Sequence, residues 1–169
     1  QSLTKRGPGA LILSAANTYT GNTTIESGTL ITRAANAFAQ SSRVTVNSGA
    51  ALTLENFDQA ARNLTWAGQI NLGSAQLTVN HSADTDFSGL ITGSGGSLVK
   101  TGVSDFTLSG ENTYGGGTAI SQGRLIIEIG SALGGGTVTL GGGSLWLNLA
   151  ADGVVVNQMA GSGTVTKTG

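Results

Sequence analysis

The single histidine of the sequence, His81, lies in the stretch NHSADTDFSG (80–89), close to Asp84 and Asp86. A histidine beside a carboxylate could act as the base of a hydrolytic triad, but a triad also needs a serine nucleophile, and the sequence contains no GxSxG elbow. The two aspartates could contribute to a calcium site, which takes about six to eight oxygens. The glycine- and aspartate-rich repeats of calcium-binding β-rolls are missing, however. We therefore predict a solvated loop here, with no catalytic residue, no metal and no cofactor.

The nine acidic residues are scattered along the chain. Polysaccharide lyases and glycosidases built on β-helices need carboxylates or basic residues that converge on one face. Only Asp84 and Asp86 have the spacing of neighbouring positions on one face of a strand. The sequence therefore favours a protein without enzymatic activity, and a carbohydrate-active enzyme stays as the alternative.

The lysines and the glycine-rich loops give no sign of a nucleic acid or nucleotide site. Lys5, Lys100 and Lys167 recur in similar sequence contexts, and we predict that they face solvent. Three such lysines do not form a phosphate-binding patch. The loops GSGG (93–96) and GGGT (115–118) lack the lysine and the helix of a phosphate loop, so we interpret them as turns.

The composition indicates a packed protein with few charges. Glycine supplies 28 of the 169 residues, 10% of the residues are charged, and the net charge is -1. The absence of cysteine excludes disulfides and thiolate metal sites. The charge balance gives no reason to expect nucleic acid, and no apolar run approaches the roughly 18 residues of a membrane span.

The chain repeats itself over long distances. Residues 2–39 match residues 97–134 without a gap, and 16 of these 38 positions are identical. The opening of the pattern returns at the end of the chain, where GSGTVTKTG resembles the earlier GSGGSLVKTG. We therefore divide the chain into units 2–96 and 97–160 and the start of a third unit at 161–169. Repetition of this kind favours a solenoid over a closed globular fold.

Short bursts of alternating apolar residues fill each unit, and small turn residues separate them. Alternation with period two predicts short strands with one buried face. Such strands could also form a sandwich or a barrel, but the repetition favours an all-β fold, a parallel β-helix of about seven to eight coils with about 20–25 residues in each. Inward-facing side chains should then form aliphatic ladders, which we expect to include Leu13, Ile25, Leu30, Val44, Val46, Leu52, Leu54, Leu108, Ile120 and Leu125.

The phrase AANTYTGNTTIESGTLI (15–31) and its copy GENTYGGGTAISQGRLI (110–126) are interpreted as devices that turn the chain at a corner. Asparagine can close an Asx turn, glycine can take a positive φ, and a tyrosine ring can cover the base of a loop. We predict structural corner and turn roles for Asn17, Tyr19, Gly21, Gly28, Asn112, Tyr114, Gly116 and Gly123.

Strand parity assigns the two tryptophans to opposite faces. Trp66 shares the parity of Leu64 and should face the core. Trp146 alternates with Leu145 and Leu147 and should lie on the outer surface. An exposed tryptophan could contact a partner, so Trp146 is a candidate contact residue, although stacking on the outer face is the simpler explanation.

Two long stretches carry a family resemblance. KRGPGALILSAANTYTGNTTIESGTL (5–30) and KTGVSDFTLSGENTYGGGTAISQGRL (100–125) resemble the passenger-associated repeat of bacterial autotransporters, the type V secreted proteins. The second copy departs from the pattern at Val103, Asp105 and Arg124, and these departures leave the Asn-Thr-Tyr and glycine positions unchanged.

The resemblance implies a right-handed β-helical stalk that is exported across the outer membrane to the bacterial cell surface. It also implies a C-terminal translocator barrel outside these 169 residues, so we expect the chain to be a segment of a longer passenger. Passengers of this family are often adhesive, self-associating or biofilm-forming, and the repeat is associated with efficient secretion and folding. A host-surface partner or a self-association partner is therefore expected for the passenger. The isolated segment should fray or associate at its uncapped ends.

Overall fold

Short parallel strands and tight corners wind the chain into a β-solenoid of about eight coils, which confirms the predicted fold class. The structure is a computed structural model that describes residues 1–38, 43–65, 67–150 and 152–168. In this part of the chain no helix is long and apolar enough to cross a membrane. The described elements are β1 (Leu3–Lys5), β2 (Ala10–Leu13), β3 (Thr23–Ile25), β4 (Thr29–Thr32), β5 (Val44–Val46), β6 (Ala51–Thr53), β7 (Gln59–Arg62), β8 (Gln69–Asn71), β9 (Gln76–Asn80), β10 (Thr85–Phe87), β11 (Leu90–Thr92), β12 (Ser97–Thr101), β13 (Asp105–Leu108), β14 (Thr118–Ile120), β15 (Arg124–Ile127), a 3-10 turn (Gly130–Leu133), β16 (Val138–Leu140), β17 (Ser144–Asn148), β18 (Met159–Gly161) and β19 (Thr164–Thr168).

The strands fall on three faces of the solenoid, and they pair in parallel from coil to coil. Face 1 contains β1, β3 and β5, followed by β10, β13, β15, β17 and β19. Thr65 connects these two groups, because it pairs with Thr45 and lines the same shallow groove as Thr85. Face 2 contains β2, β4, β6, β8 and β11, and face 3 contains β7, β9, β12, β14, β16 and β18.

The coils are shorter than the sequence predicts. Ala51 pairs with Thr29, 22 residues earlier, and with Gln69, 18 residues later. Thr23 pairs with Leu3 at an interval of 20 residues. The predicted length of about 20–25 residues is therefore slightly too large, because the glycine-rich corners turn the chain within very few residues.

Aliphatic ladders fill the interior. On face 2, Leu30, Leu52, Ile70 and Ile91 follow one another in register, and each is at most 1% exposed. Burial of one such side chain stabilises the fold by about 1.5–3 kcal/mol. Every predicted ladder residue is buried except Leu13, which is partly buried and packs against the core from the first coil.

The two long repeats begin on different faces. Lys5 belongs to β1 on face 1, whereas Lys100, its equivalent 95 residues later, belongs to β12 on face 3. The offset of 95 residues is therefore not a whole number of coils. Lys167, in β19, is again on face 1, so the 162 residues between Lys5 and Lys167 make eight whole coils.

Glycines line the corner between faces 1 and 2. A β-carbon on Gly89 would press against the carbonyl oxygen of Gly68, and one on Gly110 would press against that of Gly89. Neither glycine has a positive φ, so the requirement for glycine comes from the close approach of neighbouring coils.

We predict that Gly110→Ala lowers the free energy of unfolding by about 2 kcal/mol, because the added methyl group must displace the backbone of the coil below. Gly9→Ala is the matched control. Gly9 has open space around its α-carbon, so we expect a change within about 0.5 kcal/mol. Urea denaturation followed by circular dichroism measures both, and equal stabilities of the two variants would contradict the packing argument.

Candidate functional site

The lysine that opens each repeat lies inside the solenoid. Lys5 is 6% exposed and Lys100 is completely buried. The ammonium group of Lys5 donates to the carbonyl oxygens of Arg6 at 3.0 Å, Gly7 at 2.7 Å and Ser27 at 3.0 Å. Three acceptors match the three N–H donors of an ammonium group, so the buried charge is fully hydrogen-bonded.

Lys100 repeats this arrangement on another face. Its ammonium donates to the carbonyl oxygens of Thr101 at 2.9 Å, Gly102 at 2.7 Å and Gln122 at 3.2 Å. Burial lowers the pKa of the Lys100 ammonium to about 8, and the Asp105 carboxylate opposes part of this shift. Lys100 is therefore still mainly charged at neutral pH.

The prediction that these lysines face solvent is wrong for Lys5 and Lys100. Both occupy inward positions of their strands, where Lys5 pairs with Ile25 and Lys100 with Ile120. Carbonyl oxygens at the corners satisfy the ammonium groups inside the fold. Lys167 is exposed, and its ammonium donates to the carbonyl oxygen of Leu149 at 3.3 Å.

The repeated asparagine connects neighbouring coils. The side chain of Asn112 accepts a hydrogen bond from the Ile91 amide at 2.8 Å and donates to the Ala132 carbonyl at 2.6 Å. Ile91 lies one coil before Asn112, and Ala132 lies one coil after it. Asn17 donates to the carbonyl of Ala37 in the following coil and to that of Ala15. The side chains thus reach across coils, where the sequence predicts a local Asx turn.

The repeated tyrosine closes the loop through its hydroxyl group. The hydroxyl groups of Tyr19 and Thr23 are 2.7 Å apart, and those of Tyr114 and Thr118 are also 2.7 Å apart. Tyr114 is completely buried, and this burial raises the pKa of its phenol, with the hydrogen bond to Thr118 opposing the shift. Tyr19 is only partly buried.

The four predicted corner glycines are required for two different reasons. Gly28 and Gly123 have φ of 70° and 65°, a conformation that favours glycine. Gly21 and Gly116 do not have the predicted positive φ. A β-carbon on Gly21 would press against the carbonyl oxygen of Gln1, and one on Gly116 would lie 2.7 Å from that of Gly95, so these two positions need glycine for space.

Comparison with known proteins agrees with this repeated geometry. Residues 3–31 and 98–127 match the passenger-associated-transport-repeat. The chain is also 43% identical, over 178 aligned positions, to the adhesin BmaC autotransporter of Brucella suis biovar 1 (strain 1330). The chain belongs to the autotransporter passengers that carry this repeat. As such a passenger it is exported across the outer membrane to the cell surface. The alignment covers 98% of this chain and spans 5% of the length of the relative.

His81 of the passenger is a core residue, so the predicted solvated loop is wrong at this position. Its side chain is 1% exposed and stacks on Phe106, with ring centroids 4.3 Å apart. Its Nδ1 atom lies 2.6 Å from the Thr85 hydroxyl, and its Nε2 atom is buried without a hydrogen-bond partner. Burial lowers the pKa of His81 to about 3, and the Lys100 ammonium contributes to the same shift.

The acidic side chains of the passenger make bonds between coils. Arg6 pairs with Glu26 at 2.7 Å and Arg33 with Glu55 at 3.0 Å; Arg124 pairs with Asp105. Asp58 accepts from the Gln76 amide and Asp84 from the Asp105 amide. In the described part of the chain, no group of three or more histidine, cysteine, aspartate or glutamate side chains could hold a metal ion. Asp84 and Asp86, the pair considered for calcium, are both exposed.

Trp146 lies on the outer face of β17 and is half-buried. The guanidinium of Arg124, one coil earlier, lies 4.2 Å from the centre of the indole ring. Arg124 also pairs with Asp105, so a carboxylate, a guanidinium and an indole form one outer-face cluster. A contact role for Trp146 stays a prediction, and Trp66 lies outside the described residues.

Sequence reasoning did not identify the cross-coil bonds of the lysines or the ion pairs. A signal for the ion pairs is present, because Arg6 and Glu26 are 20 residues apart and Arg33 and Glu55 are 22 apart, which is one coil. A signal for Lys5 is also present, because it shares the parity of the inward-facing Leu3.

We predict that Asn112→Leu lowers the free energy of unfolding by about 2–3 kcal/mol, because the buried Ile91 amide and Ala132 carbonyl both lose a partner. Asn17→Leu should cost only about 1 kcal/mol, because Asn17 is less buried and contacts one neighbouring coil. Urea denaturation of the two variants compares these costs. A larger loss for Asn17→Leu would contradict the assignment of Asn112 as a bridge between three coils.

We predict that acidification destabilises the passenger through His81. The folded pKa of about 3 lies below the unfolded value of 6.5, so the unfolded chain binds the proton first as the pH falls. The free energy of unfolding should decrease between about pH 6.5 and about pH 3, with a slope of up to about 1.4 kcal/mol per pH unit from this group. Urea denaturation at pH 7, 6 and 5 measures the slope, above the range in which most carboxylates titrate.

His81→Gln is the control for this pH dependence, because glutamine does not titrate. The variant should show a flatter dependence of stability on pH between 7 and 5, whatever its absolute stability. An unchanged slope would mean that His81 is not the group responsible.

Proposed function

We propose that this chain is a rigid stalk segment of an adhesin-type passenger. In this function the solenoid holds the rest of the passenger away from the outer membrane and supports adhesion, aggregation or biofilm formation. The repeat would also assist folding of the passenger during secretion. The relative that the chain matches is named an adhesin, and because the chain spans only 5% of that protein, the activity of the whole passenger is part of the proposal.

The observation that carries this proposal is the continuity of the coils. Face 1 alone is crossed nine times, by eight strands and Thr65, so eight spacings of about 4.8 Å give a rod about 40 Å long. Hydrophobic ladders run along its interior, and the ion pairs among the described residues each connect adjacent coils. Such a rod resists bending because neighbouring coils are joined both inside and outside.

The alternative, a carbohydrate-active enzyme, receives less support. Glycoside hydrolysis needs two carboxyl groups about 5–10 Å apart on either side of the scissile bond. Glu26, Glu55 and Asp105 are each held by an arginine one coil away, and Asp58 and Asp84 each accept a backbone amide. These bonds use the carboxylates to join coils, which favours a structural use of the acidic side chains.

The partners that we propose belong to the passenger as a whole. They are a host surface or a second passenger for adhesion, and a C-terminal translocator for export. Neither nucleic acid nor a cofactor is part of the proposed function.

Display of the passenger on bacteria tests the proposal. Deletion of residues 5–166 removes eight whole coils and joins Thr4 to Lys167, which restores the repeat opening as SLTKTG. We expect this passenger to be exported and to bind less well to host cells, because it is about 40 Å shorter. Arg124→Ala and Trp146→Ala, which change only the outer face, should alter adherence by less than about twofold.

A loss of adherence of about tenfold or more from either outer-face substitution would contradict the stalk function, because it would show that this surface itself binds. Release of reducing ends from bacterial or host polysaccharides by the purified chain would favour the enzymatic alternative.

A further inference from the structure

The buried lysines share a feature that their own corners do not explain. Two of the three acceptors of each ammonium lie within two residues of the lysine, but the third belongs to the next coil. Ser27 is 22 residues after Lys5, and Gln122 is 22 residues after Lys100. The two copies lie on different faces of the solenoid and still use the same three relative positions.

The third acceptor completes the hydrogen bonding of a charge that is costly to bury. An ammonium group that leaves water without a full set of acceptors loses several kcal/mol of solvation. While the following coil is absent, Lys5 and Lys100 have only two acceptors each from their own corners. Arrival of the next corner therefore removes an energetic penalty that no aliphatic side chain at this position would carry.

The receiving corner is shaped for this contact by its glycine. Ser27 and Gln122 come directly before Gly28 and Gly123, which have φ of 70° and 65°. A β-carbon on Gly28 would lie 2.6 Å from the ammonium nitrogen of Lys5, so no larger residue fits against the charge. The lysine that opens the repeat and the glycine that follows its second strand thus meet in space.

We propose that the lysine that opens each repeat is a docking group that recognises the backbone of the coil that follows it. Its target is the carbonyl group presented by the left-handed glycine corner, at Ser27 for Lys5 and at Gln122 for Lys100. The docking group favours the correct axial register of the next coil, because a coil shifted by one residue would present an amide or a side chain in place of this carbonyl. The inference deepens the proposed role of the repeat in passenger folding and rests on that proposal for its biological meaning.

Hydrogen exchange of the purified 169-residue chain tests the docking role without any adhesion assay, so it can fail while the stalk function holds, and the reverse. In Lys100→Met we expect the Ser121 amide, which bonds to the Lys100 carbonyl, to exchange at least about tenfold faster, because one charge-assisted hydrogen bond between these coils is lost. The His81 amide, which bonds to the Thr101 carbonyl at the lysine's own corner, should change much less.

Lys5→Met provides the second reading, because Lys5 is in the first coil and its loss leaves the central coils intact. Exchange should accelerate at the Glu26 amide, which bonds to the Lys5 carbonyl, and stay unchanged at Ser121. Lys167→Met is the matched control, and it should leave both Glu26 and Ser121 unchanged. Should Lys100→Met not fold, the comparison of Lys5→Met with Lys167→Met decides the question.

Two results would overturn the docking role. One is faster exchange confined to the lysine's own corner, which would make the lysine a local cap. The other is unchanged exchange at Glu26 in Lys5→Met, which would show that the following coil holds its position without the ammonium group.

Discussion

Each coil of this solenoid can satisfy its backbone only through the coils on either side. A strand of three to five residues has no pairing partner within its own coil, so its amide and carbonyl groups must bond to strands about 20 residues away. This constraint fixes the axial register along every face, and the register in turn stacks residues such as Leu30, Leu52 and Ile70 into a continuous core. The polar side chains follow the same interval, because Asn112 and Lys100 both bond to backbone groups one coil away.

The sequence predicts the fold because one period controls most of the buried positions. Alternation with period two identifies the inward-facing aliphatic residues, and repetition at long range indicates that these strands stack instead of closing into a barrel. The same period places Trp146 on the outer face, and it also places Lys5 and Lys100 on the inner one. Charge argues for the opposite location of the lysines, and a sequence does not show that three carbonyl oxygens converge on one point.

The remaining errors concern corners, where no period applies. His81 lies between two strands, and its burial depends on the ring of Phe106 in the next coil. The glycine of each Asn-Thr-Tyr loop is visible in the sequence, but its cause is not. Gly21 and Gly116 are needed because backbone from another part of the chain lies too close for a side chain, and such a distance can be known only from the structure.

The offset between the two repeats determines the direction in which each one points. The first Asn-Thr-Tyr loop follows β2 and occupies the side of face 3, whereas the second stacks on Ile91 at face 2. Gain or loss of one 95-residue unit would therefore turn everything beyond it by one-third of a revolution, whereas a change of 162 residues would preserve its bearing. A long passenger of this kind is a screw with a countable thread. The number of residues between repeats sets the compass direction of each loop as well as its height above the membrane.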